Sequence, residues 1–223
     1  MTPHLKPSLV EPAPGRCYSC LRPRSRCYCS RIVPVPTRTR FAICMHPREY
    51  RHQKCGTGRL CGIALSTAEL FVGVDFSEHA GLNAVLKDPK ISPWLLYPGP
   101  DAINLSSGSP LVLPPGCELL VVILDGTWPE ARKMLRLSSN LRPLPRMAFT
   151  PGSPSRFSIK RQPYSWCLST IEAVYELLGV LGSSGYESVG EARGSLLEIL
   201  ADLVNWQASY QEPGRRRRSV APR

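Results

Sequence analysis

Apolar residues fall along this chain in short unbroken runs, separated by polar stretches rich in proline and glycine. "RFAICM", Arg40 to Met45, and "LLVVIL", Leu119 to Leu124, are continuous runs of strand length, as expected of strands buried on both faces. "PWLLYP", Pro93 to Pro98, reads as another strand bounded by breakers, "RMAFT", Arg146 to Thr150, as a weaker one, and "ELFVGVDF" as a short strand or turn. Elsewhere the spacing is helical. Leu60, Ala64 and Leu65 share a face in "TGRLCGIALS", and Ile171, Val174, Tyr175 and Leu178 form a stripe in "STIEAVYELLGVL". Helices are also expected over about Pro129 to Leu137 and about Gly194 to Gln207, the last turning Leu196, Leu200, Leu203 and Val204 inward. Buried strands alternating with amphipathic helices predict an α/β fold with a mostly parallel sheet.

Two strand-to-helix junctions carry the same local chemistry. In "ILDGTWPEARKM", Thr127 and Glu130 are spaced as a capping box, Pro129 suits the first helical turn, and Gly126 allows a tight turn. In "SWCLSTIEA", Ser169 and Glu172 repeat the spacing. The capping pattern leaves Asp125 and Trp128 unexplained. Asp125 stands at a strand's carboxyl end, where open parallel sheets bind ligands. "LYPGPDA", Leu96 to Ala102, supplies a third strand end, and the loops are expected to converge at one sheet edge around a small polar ligand. No G-x-G-x-x-G or P-loop is present, so a dinucleotide or a nucleoside triphosphate is not indicated.

Charge adds a partner to this picture. The 223-residue chain has a formal net charge of +11. The Arg16–Arg40 segment holds seven arginines and no acid, and the Arg132–Arg161 segment eight basic residues and no acid. Such segments hold phosphates, and with no basic amphipathic helix they favour nucleic acid over a membrane. No apolar run is long enough to span a bilayer and no signal-peptide core is evident, so a cytoplasmic protein with reduced thiols is expected. Within the first arginine-rich segment, Cys17, Cys20, Cys27 and Cys29 are spaced C-x2-C-x6-C-x-C, two close pairs that can hold one structural Zn2+ as thiolates. The interleaved arginines, with Tyr18 and Tyr28, suit phosphate and base contacts. "MHPREYRH" also holds His46, Glu49 and His52, without the H-E-x-x-H order of a helix-borne metal site. The expected organisation is a disordered N-terminus (1–15), a basic four-cysteine zinc module (16–38), an α/β domain (39–211) that holds the ligand-binding loops, and a disordered basic tail (212–223).

The cysteine set, "HPREYRHQKCGTGRL", "LLYPGPDAINL", "ILDGTWPEARKM", "SRFSIKRQP" and "CLSTIEAV" occur together in this order over about Cys17 to Ala173. In this combination the chain resembles the DTW-domain proteins, tRNA-uridine aminocarboxypropyltransferases related to the SPOUT superfamily of knotted α/β enzymes. The resemblance implies a trefoil knot. It also implies transfer of the 3-amino-3-carboxypropyl group of S-adenosylmethionine to N3 of a tRNA uridine, releasing methylthioadenosine. N3 must lose its proton, and Asp125 is the expected general base or orienting group, aided by burial near Trp128. Asp125 or Trp128 is expected to hold the sulfonium, Trp128 by cation–π contact. Asp125, Thr127 and Trp128 form the expected catalytic set. Tyr97, Pro98, Gly99, Leu124, Asp125, Gly126, Trp128, Cys167, Leu168, Ser169 and Thr170 are expected to hold the donor. His46, Arg59, Arg156, Lys160 and Arg161 are expected to meet the tRNA or the amino-acid carboxylate, Lys160 standing beside Arg161 where the family usually carries an arginine.

Two other readings compete. One is a SPOUT-type RNA methyltransferase using another carbon of the same donor. The other is a non-catalytic, zinc-dependent RNA-binding protein, which has no need of an enclosed pocket. The expected partner in either case is RNA, with no membrane, and the chain is a monomer or a homodimer.

Overall fold

The computed structural model describes residues 15–52, 56–159 and 166–209. Lys160, Arg161, nearly all of the expected disordered N-terminus and the basic tail lie outside the described residues. Six strands form one sheet: β1 (Arg40–Met45), β2 (Ala68–Val72), β3 (Ile91–Leu96), β4 (Ala102–Asn104), β5 (Glu118–Asp125) and β6 (Arg146–Ala148). Their order is β2-β1-β5-β3-β6-β4, and every pairing is parallel. The helices are α1 (Pro47–His52), α2 (Thr57–Ala64), α3 (Ala80–Leu86), α4 (Trp128–Leu137), α5 (Thr170–Ser183) and α6 (Gly194–Ser209).

The continuous apolar run of β5 serves two cores at once, because successive side chains point to opposite faces. Leu119, Val121 and Ile123 pack with α2, α5 and α6 through Leu60, Ile171, Val174, Leu196 and Leu200. Leu120 and Val122 pack with α3 and α4 through Leu82, Met134 and Leu135. The result is a three-layer α/β/α fold with β5 at the centre. Pro93 is tolerated inside β3 because β6 pairs only with Leu95 and Leu96, leaving the flank beside Pro93 open.

The sequence missed α1, α3 and β4, all of seven residues or fewer. Gly56 is the N-cap of α2, and Gly58 lies inside that helix.

The cysteine-rich segment shares the main core. Cys20, Tyr28 and Val35 are buried in the same apolar cluster as α5 and α6. Arg22 is buried with its guanidinium 3.9 Å from the Tyr28 ring centre and 4.5 Å from that of Trp206 on α6. The side chains of Tyr28 and Arg22, expected to face nucleic acid, are therefore interior, whereas Tyr18 and Arg24 are exposed. Arg31 pairs with Asp202 of α6 at 3.0 Å.

Candidate active site

Met45 at the end of β1 lies level with Asp125 at the end of β5. From β1 the chain continues to β2 on one side, and from β5 to β6 on the other. The crevice beyond these ends is the topological switch point, where α/β sheets bind ligands. The two helix-opening loops do meet, at the carboxyl end of the central strand rather than at a sheet edge.

Both capping boxes are formed. Thr127 N and Oγ1 donate to Glu130 Oε2 at 2.9 and 2.8 Å. Burial opposes ionisation of Glu130, but these bonds and the neighbouring His46 and Arg48 hold its carboxyl below the usual range. His46, buried at the end of β1, places Nδ1 3.5 Å from Glu130 Oε1. At the second junction Ser169 N and Oγ donate to the buried Glu172, as do Ser155 Oγ and Arg156 N, so one carboxylate fastens the 155–157 loop to the start of α5.

Asp125 is enclosed between two helix N-termini. Thr170 Oγ1, in the first turn of α5, donates to Asp125 Oδ1, and Thr170 N donates to Thr57 Oγ1 at the start of α2 at 3.2 Å. A Cβ on Gly58 would lie 2.5 Å from Asp125 Cγ and Oδ2, so only glycine leaves room for this carboxylate. The aligned helix dipoles favour negative charge there. Burial, and then the charge of Asp125, push the Cys61 thiol well up.

A cavity of about 200 Å³ opens over these ends. Its walls come from four segments: Leu96–Pro98 at the end of β3, Ile123, Leu124, Gly126, Trp128 and Ala131 around the β5–α4 junction, Met147–Phe149 and Pro151 at the end of β6, and Trp166–Leu168, Thr170 and Ala173 leading into α5. Of the expected donor-binding residues, Tyr97, Pro98, Leu124, Gly126, Trp128, Cys167, Leu168 and Thr170 line it. Asp125, Gly99 and Ser169 do not. Asp125 lies beneath the floor, joined to it by Thr170, and faces α2 and α5 rather than Trp128. Gly99 instead lies against Arg146, whose Nη1 would be 3.2 Å from a Cβ there. Ser169 is the buried N-cap of α5.

Trp128 is fixed on three sides. Its Nε1 donates to Cys167 Sγ at 3.2 Å, and its ring meets those of Tyr97 and Trp166 edge-on, each with centroids 5.9 Å away. Thr127 is exposed and acts through Glu130. Of the expected substrate contacts, Arg156 is exposed beside the cavity loop and His46 sits at the β1 end. Arg59 is a correction: it is buried, donates to Tyr50 O at 2.8 Å and stacks on the Tyr50 ring at 4.4 Å, so it braces α1 against α2 instead of meeting phosphate. Sequence reasoning missed Trp166 and, reading Arg146–Thr150 only as a weak strand, the cavity residues Met147, Ala148, Phe149 and Pro151. The aromatic next to Cys167 was a usable signal for Trp166; nothing in the pattern marked the others.

Away from the cavity, the Sγ atoms of Cys17, Cys20, Cys27 and Cys29 lie within 4.8 Å of one another. Cys17–Cys29 and Cys20–Cys27 are 3.9 and 3.8 Å apart. Disulfide sulfurs lie at about 2.05 Å, whereas thiolates on a tetrahedral ion with bonds of about 2.3 Å stand roughly 3.8 Å apart. The cluster therefore fits a metal ion. The hydrogen bond between Cys29 and Cys20 pulls the Cys20 thiol down to about 5 and pushes that of Cys29 up. Among the described residues no other group of this kind is present, and no helix is long and apolar enough to cross a membrane.

The profile of the DTW domain family matches residues 15–208. The chain belongs to the DTW domain family. Similar proteins include tRNA-uridine aminocarboxypropyltransferase 2 of Drosophila melanogaster, 29% identical over 203 residues, covering 86% of this chain and 75% of the relative. The enzyme of the same name from Macaca fascicularis is 29% identical over 207 residues, covering 90% and 67%. tRNA-uridine aminocarboxypropyltransferase A of Arabidopsis thaliana is 27% identical over 224 residues, covering 88% and 82%. No solved structure matches this DTW chain at a significant level.

Proposed function

We propose that this chain is a tRNA-uridine aminocarboxypropyltransferase. N3 of a uridine attacks the γ-carbon of the amino-acid arm of S-adenosylmethionine. The carbon–sulfur bond breaks with its electron pair going to sulfur, methylthioadenosine leaves, and the N3 proton passes to the protein. The observation that carries the reading is the cavity over the ends of β3, β5 and β6, with Trp128 held at its wall, in a chain whose relatives bear this name. An indole fixed by Cys167, Tyr97 and Trp166 suits a sulfonium by cation–π attraction. Enclosure selects which carbon on sulfur is attacked, by positioning.

Because Asp125 lies under the floor, the proton path the geometry favours runs through Thr170. The hydroxyl of Thr170 borders the cavity and already donates to Asp125. It accepts the N3 proton as it gives its own to the carboxylate. Asp125 then serves as the base at one remove, and it also positions Thr170 and the Gly126 turn. Arg156, Lys160, Arg161 and His46 remain the proposed tRNA contacts. Zn2+ is the proposed occupant of the four cysteines, where it would be structural, and 16–38 is the proposed module around it on a 39–211 catalytic domain.

The knot implied by the resemblance has support in the strand order. Residues 97–101 connect β3 to β4 across β6, which is inserted between the two in the sheet.

Mass spectrometry of nucleosides from tRNA of cells with and without the protein tests the reaction. The aminocarboxypropyl increment on uridine must appear only with it. A methyl increment instead would mean the methyltransferase reading, and neither product would mean a binding protein.

A further inference from the structure

Trp166 is 51% exposed and yet lines the cavity. An indole left this open in a ligand-sized depression is uncommon, since tryptophan is highly buried on average. It is not loosely held. Its neighbour Cys167 is buried and accepts the Trp128 Nε1–H, and its ring lies edge-on to that of Trp128. Trp166 thus stands at the mouth, and Trp128, less exposed, stands behind it. Two residues further on, Leu168 lines both this cavity and a smaller one shared with Arg156, an exposed cation. An aromatic surface, an inner aromatic wall and a neighbouring cation match a nucleotide turned out of its stack: base on the ring, donor within, phosphate by the guanidinium.

We infer that Trp166 is the stacking platform for the target base, a substrate-positioning residue at the cavity mouth. The inference rests on the proposed transfer reaction and adds to it how the acceptor is held. Uracil must lie flat for N3 to reach the donor carbon edge-on, and the indole supplies that plane. Stacking reads any base face equally, so Trp166 sets affinity and orientation while the choice of uracil falls to groups at its edge.

The test compares Trp166→Ala, Trp166→Phe and the unaltered full-length protein, using tRNA from a strain that lacks the protein. Loss of one stacked base is worth about fivefold or more in affinity. Trp166→Ala should therefore raise both the tRNA dissociation constant and its KM by at least this factor. Affinity for S-adenosylmethionine, measured by calorimetry, should fall by much less than that for tRNA, because Cys167 and Tyr97 still hold Trp128, the melting temperature should stay unchanged, and Trp166→Phe should restore most of the loss. Unchanged tRNA affinity in the alanine variant would overturn the inference. So would weakened donor binding with tRNA affinity intact, since the ring would then cover the donor. Equilibrium binding needs no turnover: a protein that binds tRNA but transfers nothing would refute the reaction, while the alanine-to-native affinity ratio still decides the stacking role.

Discussion

Replacing Gly58 by alanine is a sharp test of the buried junction. Glycine inside a helix normally costs about 1 kcal/mol relative to alanine, so on propensity alone the change stabilises α2. The structure reverses the sign. The new methyl carbon would lie 2.5 Å from Asp125 Cγ and Oδ2 and 2.8 Å from Oδ1. Carbon atoms rest about 3.5–4.0 Å apart, so something must move by about 1 Å. β5 is paired on both sides and residues 57–61 of α2 are all buried, so the carboxylate itself gives way and loses Thr170. Loss of this hydrogen bond by a buried acceptor costs about 1–3 kcal/mol, which outweighs the propensity gain. A net loss of about 1 kcal/mol lowers the melting temperature by roughly 2–4 °C in a chain of this size. A misplacement of about 1 Å at a reacting group lowers the turnover rate about 100-fold. Gly62→Ala is the comparison: its methyl group would crowd Leu70, with Cδ1 and Cγ at 2.9 Å, so it is expected to lower stability without slowing transfer. Thermal melts and single-turnover transfer assays read both effects. A Gly58→Ala protein that melts higher than the native one and transfers at the native rate would refute the enclosure of Asp125 and the relay built on it.

Asp125→Asn should lower the transfer rate about 100-fold or more, the usual worth of a proton acceptor, with tRNA affinity nearly intact in filter binding. Thr170→Val should behave likewise and Thr170→Ser should largely recover; a fully active valine variant removes the hydroxyl from the proton path. Elemental analysis should give about one zinc per chain, lost together with folded protein in the Cys17→Ser/Cys20→Ser double variant. Glu130 is depressed in the folded state, so its contribution to stability is full above the ordinary glutamate value and fades as pH falls through its lower folded value. Acid melts of Glu130→Gln should show a shallower decline than the native protein below about pH 4.3, and parallel curves would contradict the assignment.

The strands and long helices were legible because burial on both faces writes itself as an unbroken apolar run, and one-sided burial as a stripe. β1 and the capping boxes at Thr127 and Ser169 stand where the pattern put them. What the pattern does not encode is the partner across space. Gly58 carries no mark in the pattern because its reason, a carboxylate from β5, lies 67 positions away in the chain. Arg59 looked like a phosphate ligand because arginine's hydrogen-bond capacity is the same whether it meets phosphate or the carbonyl of Tyr50. The acid at the strand end was correctly singled out, but its direction, down between α2 and α5, depended on a pleat parity that places Asp125 on the Ile123 side of the sheet. The short β4 and β6 were weak or invisible because strands of three residues bury too little to leave a signature.

The stacked Tyr28–Arg22–Trp206 column ties the four thiols to the last helix, so metal loss would be felt as a failure to fold rather than as a local fraying. Zinc supply would then govern how many copies of the protein survive quality control, not how quickly each one works. Starved cells would show less modified tRNA in proportion to less protein, with every remaining copy fully competent.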